Sequence, residues 1–489
     1  MAVADDAREL HDLLHAGVTS ATAFLAVYRF IDSTDSGRFG WLRLGEQVIY
    51  GPECDSLIVD WRTRLRESVD SDSLFDGLEV AGLGATLDAI AASGTISREN
   101  SKDLVVALRV LDAAFRGVHI AEVSSSIDSL GFVRLRTRLR KGEPLFEGGE
   151  LKVYPKPKRL AQVEVRGQAR LSDLLDVLTV LRVSPHLRVV YDSMFGAAIH
   201  GPEGFQKIGL VPTIHVASEL AWSHELNHRY SIRESAAMQD AVHTRVRSAL
   251  DLLLANGADL ILLPELVSGP ELVTMLKDYL RDRQLAGQPN PALVLAGTQM
   301  ADDDGLKRNR AVVLDSWGDV AWHQDKMHAY CFTADEQVKA RLPLGNDDLV
   351  DRLEDIDLEP RVLTVVDLSP SQRVVVLTCE DFAQDLPHRS AVSDICATTL
   401  LVPIMAVGRE SHRVQGWITD AAMNYVRHPG ATSIVANSAA LVEWRGTLDE
   451  WWNFGEIRSS PRLNVAWEGL VDVPGTPPIA WLATLARMV

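Results

Sequence analysis

Three polar side chains of complementary chemistry each follow an apolar run in the second half of this 489-residue chain. Glu265 follows Leu260-Ile-Leu-Leu-Pro264, Lys326 follows Val320-Ala-Trp-His-Gln-Asp325, and Cys379 follows Arg373-Val-Val-Val-Leu-Thr378. Such runs read as buried strands, and in open α/β sheets sites gather at the carboxyl ends of the strands. A thiol there is well placed to be a nucleophile. The strand fixes it, and the amides of the following turn point at what it attacks. Each residue alone has an ordinary structural reading: Cys379 as a small apolar strand end, Glu265 as a cap or surface pair, Lys326 as a solvated strand end. A base, a cation and a thiol in equivalent places single out a candidate site.

The elements that must position them alternate from about residue 206 onward. Strands are expected at Lys207–Thr213, Asp259–Pro264, Ala292–Gly297, Val362–Leu368, Arg373–Thr378, Ala397–Pro403 and Thr432–Ala436. Ala311–Asp315 and Asp319–Asp325 read as a hairpin across Ser316-Trp317-Gly318. Helices are expected at Met238–Ala255, Glu271–Leu285 and Gly416–His428. Continuous apolar strands joined by helices imply an α/β domain with its strands covered on both faces. The Gly201-Pro202-Glu203-Gly204 junction divides the chain into residues 1–205, mainly helical, and a domain at 206–489. In the first part, helical spacing recurs in Ala7–His15, Ala21–Ile31, Leu57–Val69, Leu83–Ala92, Lys102–Phe115 and Leu171–Leu181. Trp41–Tyr50, Leu151–Tyr154 and Gln162–Val165 read as short β pieces. No catalytic constellation stands out in residues 1–205. The basic run Arg134, Arg136, Arg138, Arg140, Lys141 reads either as a solvated face or as a contact surface for an acidic protein partner.

Composition narrows the class. Hydrophobic residues make up 46% and charged residues 24%, as in ordinary globular proteins. A net charge of −18 argues against general nucleic-acid binding, which needs a basic surface. The four cysteines (Cys54, Cys331, Cys379, Cys396) form no CxxC pair and are too scattered for a disulfide framework, so a reducing cytoplasm is expected. The acidic Met1–Asp6 stretch has no apolar core, so no signal peptide is expected. No apolar run approaches the roughly 18 to 20 residues of a membrane span.

Over about residues 206–470 the chain resembles the nitrilase, or carbon–nitrogen hydrolase, superfamily. The resemblance rests on motifs in order: Gly257-Ala-Asp-Leu-Ile-Leu-Leu-Pro-Glu265-Leu; Leu295-Ala-Gly-Thr; Arg308-Asn-Arg-Ala-Val-Val-Leu-Asp315; Gly318 and Lys326-Met-His328; Leu377-Thr-Cys379-Glu380-Asp381; Leu400-Leu-Val-Pro403; and Ser433-Ile-Val-Ala-Asn437. The Cys-Glu-Asp form, and Ala334-Asp-Glu336 after the lysine, are similar to the glutamine-hydrolysing domains of NAD synthetases. The resemblance implies an α-β-β-α sandwich in 206–489, a small-molecule amide substrate, no cofactor and at least a dimer. It implies Glu265 as general base, Cys379 as nucleophile, and Lys326 with the backbone N–H of Glu380 as oxyanion donors. Glu336 would hold Lys326 charged and in place. The family's Gly-Tyr after the first glutamate is replaced by Val267-Ser-Gly-Pro-Glu271, which bears on specificity. The acidic stretch Leu342–Pro360 reads as a lid or a solvated insertion, and Trp444–Trp452 as a subunit contact or ordinary core.

Two other classes compete. Ser223-His224-Glu225-Leu-Asn-His228 contains His-Glu-x-x-His. On a helix, His224 and His228 would share a face and could bind zinc, with Glu225 as base, as in a metallopeptidase. Arg229 stands where those enzymes favour an uncharged residue, and only Glu234 or His243 offers itself as third ligand. The third class is an assembly or signalling module that keeps the site residues with little turnover.

Overall fold

In the computed structural model the apolar runs of the second half become strands whose alternate side chains enter different cores. Leu260 and Leu262 join one apolar cluster and Ile261 another. Leu293 and Leu295 part from Val294 and Ala296 in the same way, and Ala311 and Val313 from Val312 and Leu314. Val374 and Val376 face away from Val375 and Leu377. Successive strand residues point to opposite faces, so strands apolar on both faces must be covered on both. The structure describes residues 2–34, 52–71, 73–116, 135, 138–157, 171–193, 205–225, 228–339, 350–369, 371–406, 416–426, 431–441, 455–459, 463–470 and 478–487.

Two sheets carry this pattern. The first has seven strands in the spatial order Val320–Asp325, Leu306–Asp315, Leu293–Asp303, Leu260–Leu262, Lys207–Leu210, Ala480–Arg487, Leu463–Leu470. The second has six, in the order Gly455–Ser459, Thr432–Asn437, Thr399–Ile404, Gln372–Val376, Val362–Ser369, Arg188–Ser193. Leu262, Leu295 and Trp322 of the first share a cluster with Val366, Val376, Leu401 and Ile434 of the second. On the first sheet's other face, Val246, Leu250 and Leu276 of helices Gln239–Ala255 and Pro270–Leu285 pack with Ile261 and Val294. On the second sheet's other face, Ala391 and Ile418 of helices His388–Asp394 and Gly416–Val426 pack with Val375 and Val402. Among the described residues no helix is long and apolar enough to cross a membrane.

The first part of the chain has helices at Ala2–His15, Ser20–Thr34, Pro52–Ser71, Leu83–Ser93 and Arg98–Ala113, then a three-stranded sheet of Phe146–Gly148, Leu151–Pro155 and Leu178–Arg182. Leu171–Leu181, expected to be a helix, is instead a single 3-10 turn, Leu171–Leu174, followed by strand Leu178–Arg182. The cause is Asp112. Its buried carboxylate accepts the backbone N–H groups of Asp176 (2.8 Å), Val177 (3.0 Å) and Leu178 (2.8 Å), donors that a helix would have used. Burial lifts the Asp112 carboxyl to about 6.

The expected junction at 205 does not coincide with a break in packing. Strand Arg188–Ser193 pairs parallel with Val362–Ser369 as the edge of the second sheet. One apolar cluster runs from Phe24 and Leu108 through Val180 to Leu377 and Phe382. Of the basic run, Arg138 lies 3.5 Å from Glu143 and Arg140 is exposed. Arg134 and Arg136, like Trp41–Tyr50, Gln162–Val165 and Trp444–Trp452, lie outside the described residues.

A buried ion pair ties these parts together. Arg373, fully buried, donates to both carboxylate oxygens of Asp367 (2.7 and 2.9 Å), to Ile395 O (2.6 Å) and to Pro155 O (2.7 Å). The Tyr191 hydroxyl of the edge strand donates to the same carboxylate. Removing one partner of such a pair leaves a buried charge uncompensated. Asp367→Ala should therefore lower unfolding stability by about 3 to 5 kcal/mol, read as a drop in the urea midpoint at unchanged m-value.

Candidate active site

Glu265 comes three residues after strand Leu260–Leu262, Lys326 directly after Val320–Asp325, and Cys379 three after Gln372–Val376. All three are buried, although they close strands of two different sheets. Contacts between the sheets explain how they meet. Glu265 N donates to Ile404 O at 3.4 Å, and Cys379 N donates to Pro403 O at 3.0 Å. Strand Thr399–Ile404 thus receives both turns at its carboxyl end. Lys326 N is fixed to Asn309 O at 2.8 Å on the neighbouring strand.

The Lys326 ammonium lies between two carboxylates, 2.7 Å from Glu265 Oε1 and 2.6 Å from Glu354 Oε2. The side chains of all three are essentially inaccessible to solvent, at 1%, 3% and 1% exposure. Asn309 Nδ2 donates to Glu265 Oε1 (3.0 Å) and to Glu354 Oε1 (2.7 Å), cross-bracing the same pair. Tyr330 N donates to Glu354 Oε2 at 3.1 Å. Two negative charges flank one positive charge in a dry site. Burial is the main cause that pushes Glu265 up, and the Glu354 charge adds to it against the opposing pull of Lys326. The two carboxylates overcome the desolvation of Lys326 and hold its pKa well above the ordinary lysine value.

The Cys379 thiol lies within electrostatic reach of the Glu265 carboxylate and of Lys326. Burial, then the Glu265 charge, push the thiol well above its usual range, with Lys326 pulling the other way. Both causes disfavour the Cys379 thiolate. Its backbone is strained: φ is +45° and ψ −101°, a conformation an L residue rarely adopts. Directly after it the short helix Glu380–Ala383 begins. The Glu380 carboxylate is turned to Gln384 at the surface.

Glu336, expected to steady Lys326, does something else. Its carboxylate accepts from Thr333 N (2.9 Å), Thr333 Oγ1 (3.0 Å) and Tyr330 Oη (2.9 Å), while its own N–H donates to Thr333 Oγ1 (3.3 Å). That is a reciprocal capping box at the start of helix Ala334–Lys339. Glu354 takes the place beside Lys326. It ends the short strand Arg352–Glu354, which pairs parallel with Arg229–Glu234 and antiparallel with Cys331–Phe332. Leu342–Pro360, read as a lid or insertion, thus supplies a carboxylate to the centre of the site; its residues 342–349 lie outside the described ones. Sequence reasoning also missed Asn309 and Asp381. A signal for Asp381 was present in its place directly after the Cys-Glu pair.

The His-Glu-x-x-His segment forms no helix. Leu220–Glu225 and Arg229–Glu234 are antiparallel strands of a hairpin, with His224 opposite Tyr230. His228 lies in the turn at φ +57°. Helical spacing, the condition for His224 and His228 to share a face, is therefore absent. The alternation Tyr230, Ile232 is what drives the segment into a sheet, since both are buried.

No family model matches the chain, and no curated protein matches it. Among solved structures it is similar to an amidase from Nesterenkonia sp. AN1, seen with acrylamide added at its active-site cysteine. Identity there is 16%, covering 57% of this chain and 93% of that one, with a TM-score of 0.35. A cysteine-to-alanine mutant of the same amidase in complex with butyramide gives 16% identity, 59% and 94% coverage, and a TM-score of 0.34. A cysteine-to-serine mutant, described as an amidase from the nitrilase superfamily, gives 16%, 57% and 92%, and 0.34.

Loss of the capping box is separable from loss of the buried carboxylate. Glu336→Ala should lower stability by about 1 kcal/mol, measured by chemical denaturation, without altering the contacts of Lys326.

Proposed function

We propose that the chain is a nitrilase-type hydrolase that cleaves a non-peptide carbon–nitrogen bond of a small amide through Cys379, within an α-β-β-α sandwich. The observation that carries this reading is the buried Glu265–Lys326–Glu354 cluster, with the buried Cys379 thiol within reach of the Glu265 charge. A thiol held protonated has to lose its proton as it attacks. Glu265 is the base within reach of it, and burial has already raised its affinity for that proton.

In this mechanism the sulfur adds to the amide carbon while Glu265 takes the thiol proton. Negative charge moves onto the carbonyl oxygen, where Lys326 and the backbone N–H of Glu380 stabilise it, each well-placed donor contributing about 3 to 4 kcal/mol. The tetrahedral adduct collapses, the C–N bond breaks, and the leaving nitrogen receives the proton from Glu265. A thioester remains. Glu265 then deprotonates a water molecule that attacks the thioester, and the thiol is regenerated with release of the acid. Glu354 and Asn309 keep the ammonium and Glu265 in register throughout, the role first expected of Glu336.

The test is an amide panel that includes glutamine and butyramide, with ammonia release and intact mass as readouts. Turnover should vanish in Cys379→Ala, resist chelators, and leave a transient acyl adduct on the wild type. Turnover surviving Cys379→Ala would overturn the reading. Glu354→Gln removes a charge that raises Glu265, so Glu265 should keep its carboxylate form to lower pH. The acid limb of the pH–rate profile should therefore move to lower pH, with kcat reduced. Glu336→Ala should leave that limb where it is.

A further inference from the structure

A buried carboxylate in the turn that carries Cys379 has no part in that mechanism. Asp381, fully buried and two residues after Cys379, carries no reacting role yet makes four contacts with three groups. Met327 N, directly after Lys326, donates to both of its oxygens (3.0 and 3.2 Å). Thr378 N, directly before Cys379, donates to Oδ2 at 3.4 Å. His328 Nδ1 stands 2.9 Å from Oδ1. One carboxylate therefore links the turn that carries the lysine to the turn that carries the sulfur, which come from different sheets.

The other ring nitrogen of His328 is informative. Nε2 lies 2.7 Å from Leu386 O, a carbonyl that can only accept. Nδ1 faces a carboxylate bound by three backbone N–H contacts, which also accepts. Satisfying both contacts at once requires a hydrogen on each ring nitrogen. Around it stand Asp381 from the nucleophile turn and, 5.3 Å between ring centroids, His388 from helix His388–Asp394. His388 is fully buried, and burial lowers its pKa, so it adds no competing charge. Its Nε2 lies against Asp381 O and Tyr425 Oη, with Arg389 stacked over the Tyr425 ring beyond. Arg361 Nε donates to Met327 O at 3.0 Å, holding the lysine turn from its other side.

We propose that His328 is a positioning residue, held as an imidazolium, that fixes Asp381 as the clamp setting Lys326 against Cys379. The proposal rests on the amide-hydrolase reading for its effect on turnover. Its geometric content stands apart from that reading. With the clamp intact, oxyanion donor and nucleophile keep their mutual distance. Without it the lysine turn loses its direct bonds to the turn that carries Cys379.

Two measurements decide the matter. Nitrogen-15 imidazole spectra of the wild-type protein near neutral pH, assigned with the His328→Phe variant, should show protons on both ring nitrogens of His328. A neutral tautomer there would overturn the proposal, whatever the protein turns over. Kinetically, His328→Phe keeps the ring volume and removes both donors. It should lower kcat on the order of 100-fold, as a misplacement of about 1 Å does, with KM changed less than about two-fold. His328→Gln, which keeps one donor, should fall between the two. A His328→Phe protein with a lowered unfolding midpoint and wild-type kcat would reduce His328 to a packing residue and sink the clamp. Absence of any Cys379-dependent turnover in the wild type would instead defeat the hydrolase reading, and the spectra would still judge the clamp.

Discussion

One ammonium between two carboxylates is the constraint on which the site depends. Lys326 cannot be buried alone, since an isolated cation in a dry interior is prohibitively costly. Glu265 and Glu354 compensate it, and Asn309 spans them. The compensation is deliberately unequal: two negative charges oppose one positive charge. Burial raises both Glu265 and the Cys379 thiol, and negative charge adds to it, from Glu354 on Glu265 and from Glu265 on the thiol. A cysteine paired with an imidazolium works by the opposite principle, through a lowered thiol pKa. Here burial and the neighbouring carboxylate favour the protonated sulfur instead.

That arrangement needs four separate pieces of backbone to converge. Three close strands of two sheets that face each other across a shared apolar cluster. The fourth is the short strand Arg352–Glu354, which belongs to neither large sheet. It is held by the hairpin Leu220–Glu225 and Arg229–Glu234. The His-Glu-x-x-His segment thus has a place in the site's support, through its backbone pairing with the strand that delivers Glu354.

The parts legible in the sequence were those whose physics is local. Strands such as Gln372–Val376 and Thr399–Ile404 announce themselves because both faces are apolar. Glu265, Lys326 and Cys379 follow because a polar residue closing such a strand is conspicuous. Glu354 was hidden because its strand has three residues, lies in an acidic stretch, and gains its order from long-range pairing. Glu336 was attractive for its nearness to Lys326 in sequence, although Thr333-x-x-Glu336 is itself the pattern of a helix cap. Leu171–Leu181 failed for a related reason: the side chain that redirects its backbone, Asp112, is some sixty residues away.

The backbone at Cys379 has a consequence for how such a chain drifts. A residue at φ +45° and ψ −101° is held there by its surroundings against a strain on the order of 1 to 3 kcal/mol. Glycine would feel far less of that strain. The fold is therefore pulled, at this one position, toward a residue that can do no chemistry. Thermodynamic stability and the thiol are in opposition, and selection for folding alone would erase the sulfur.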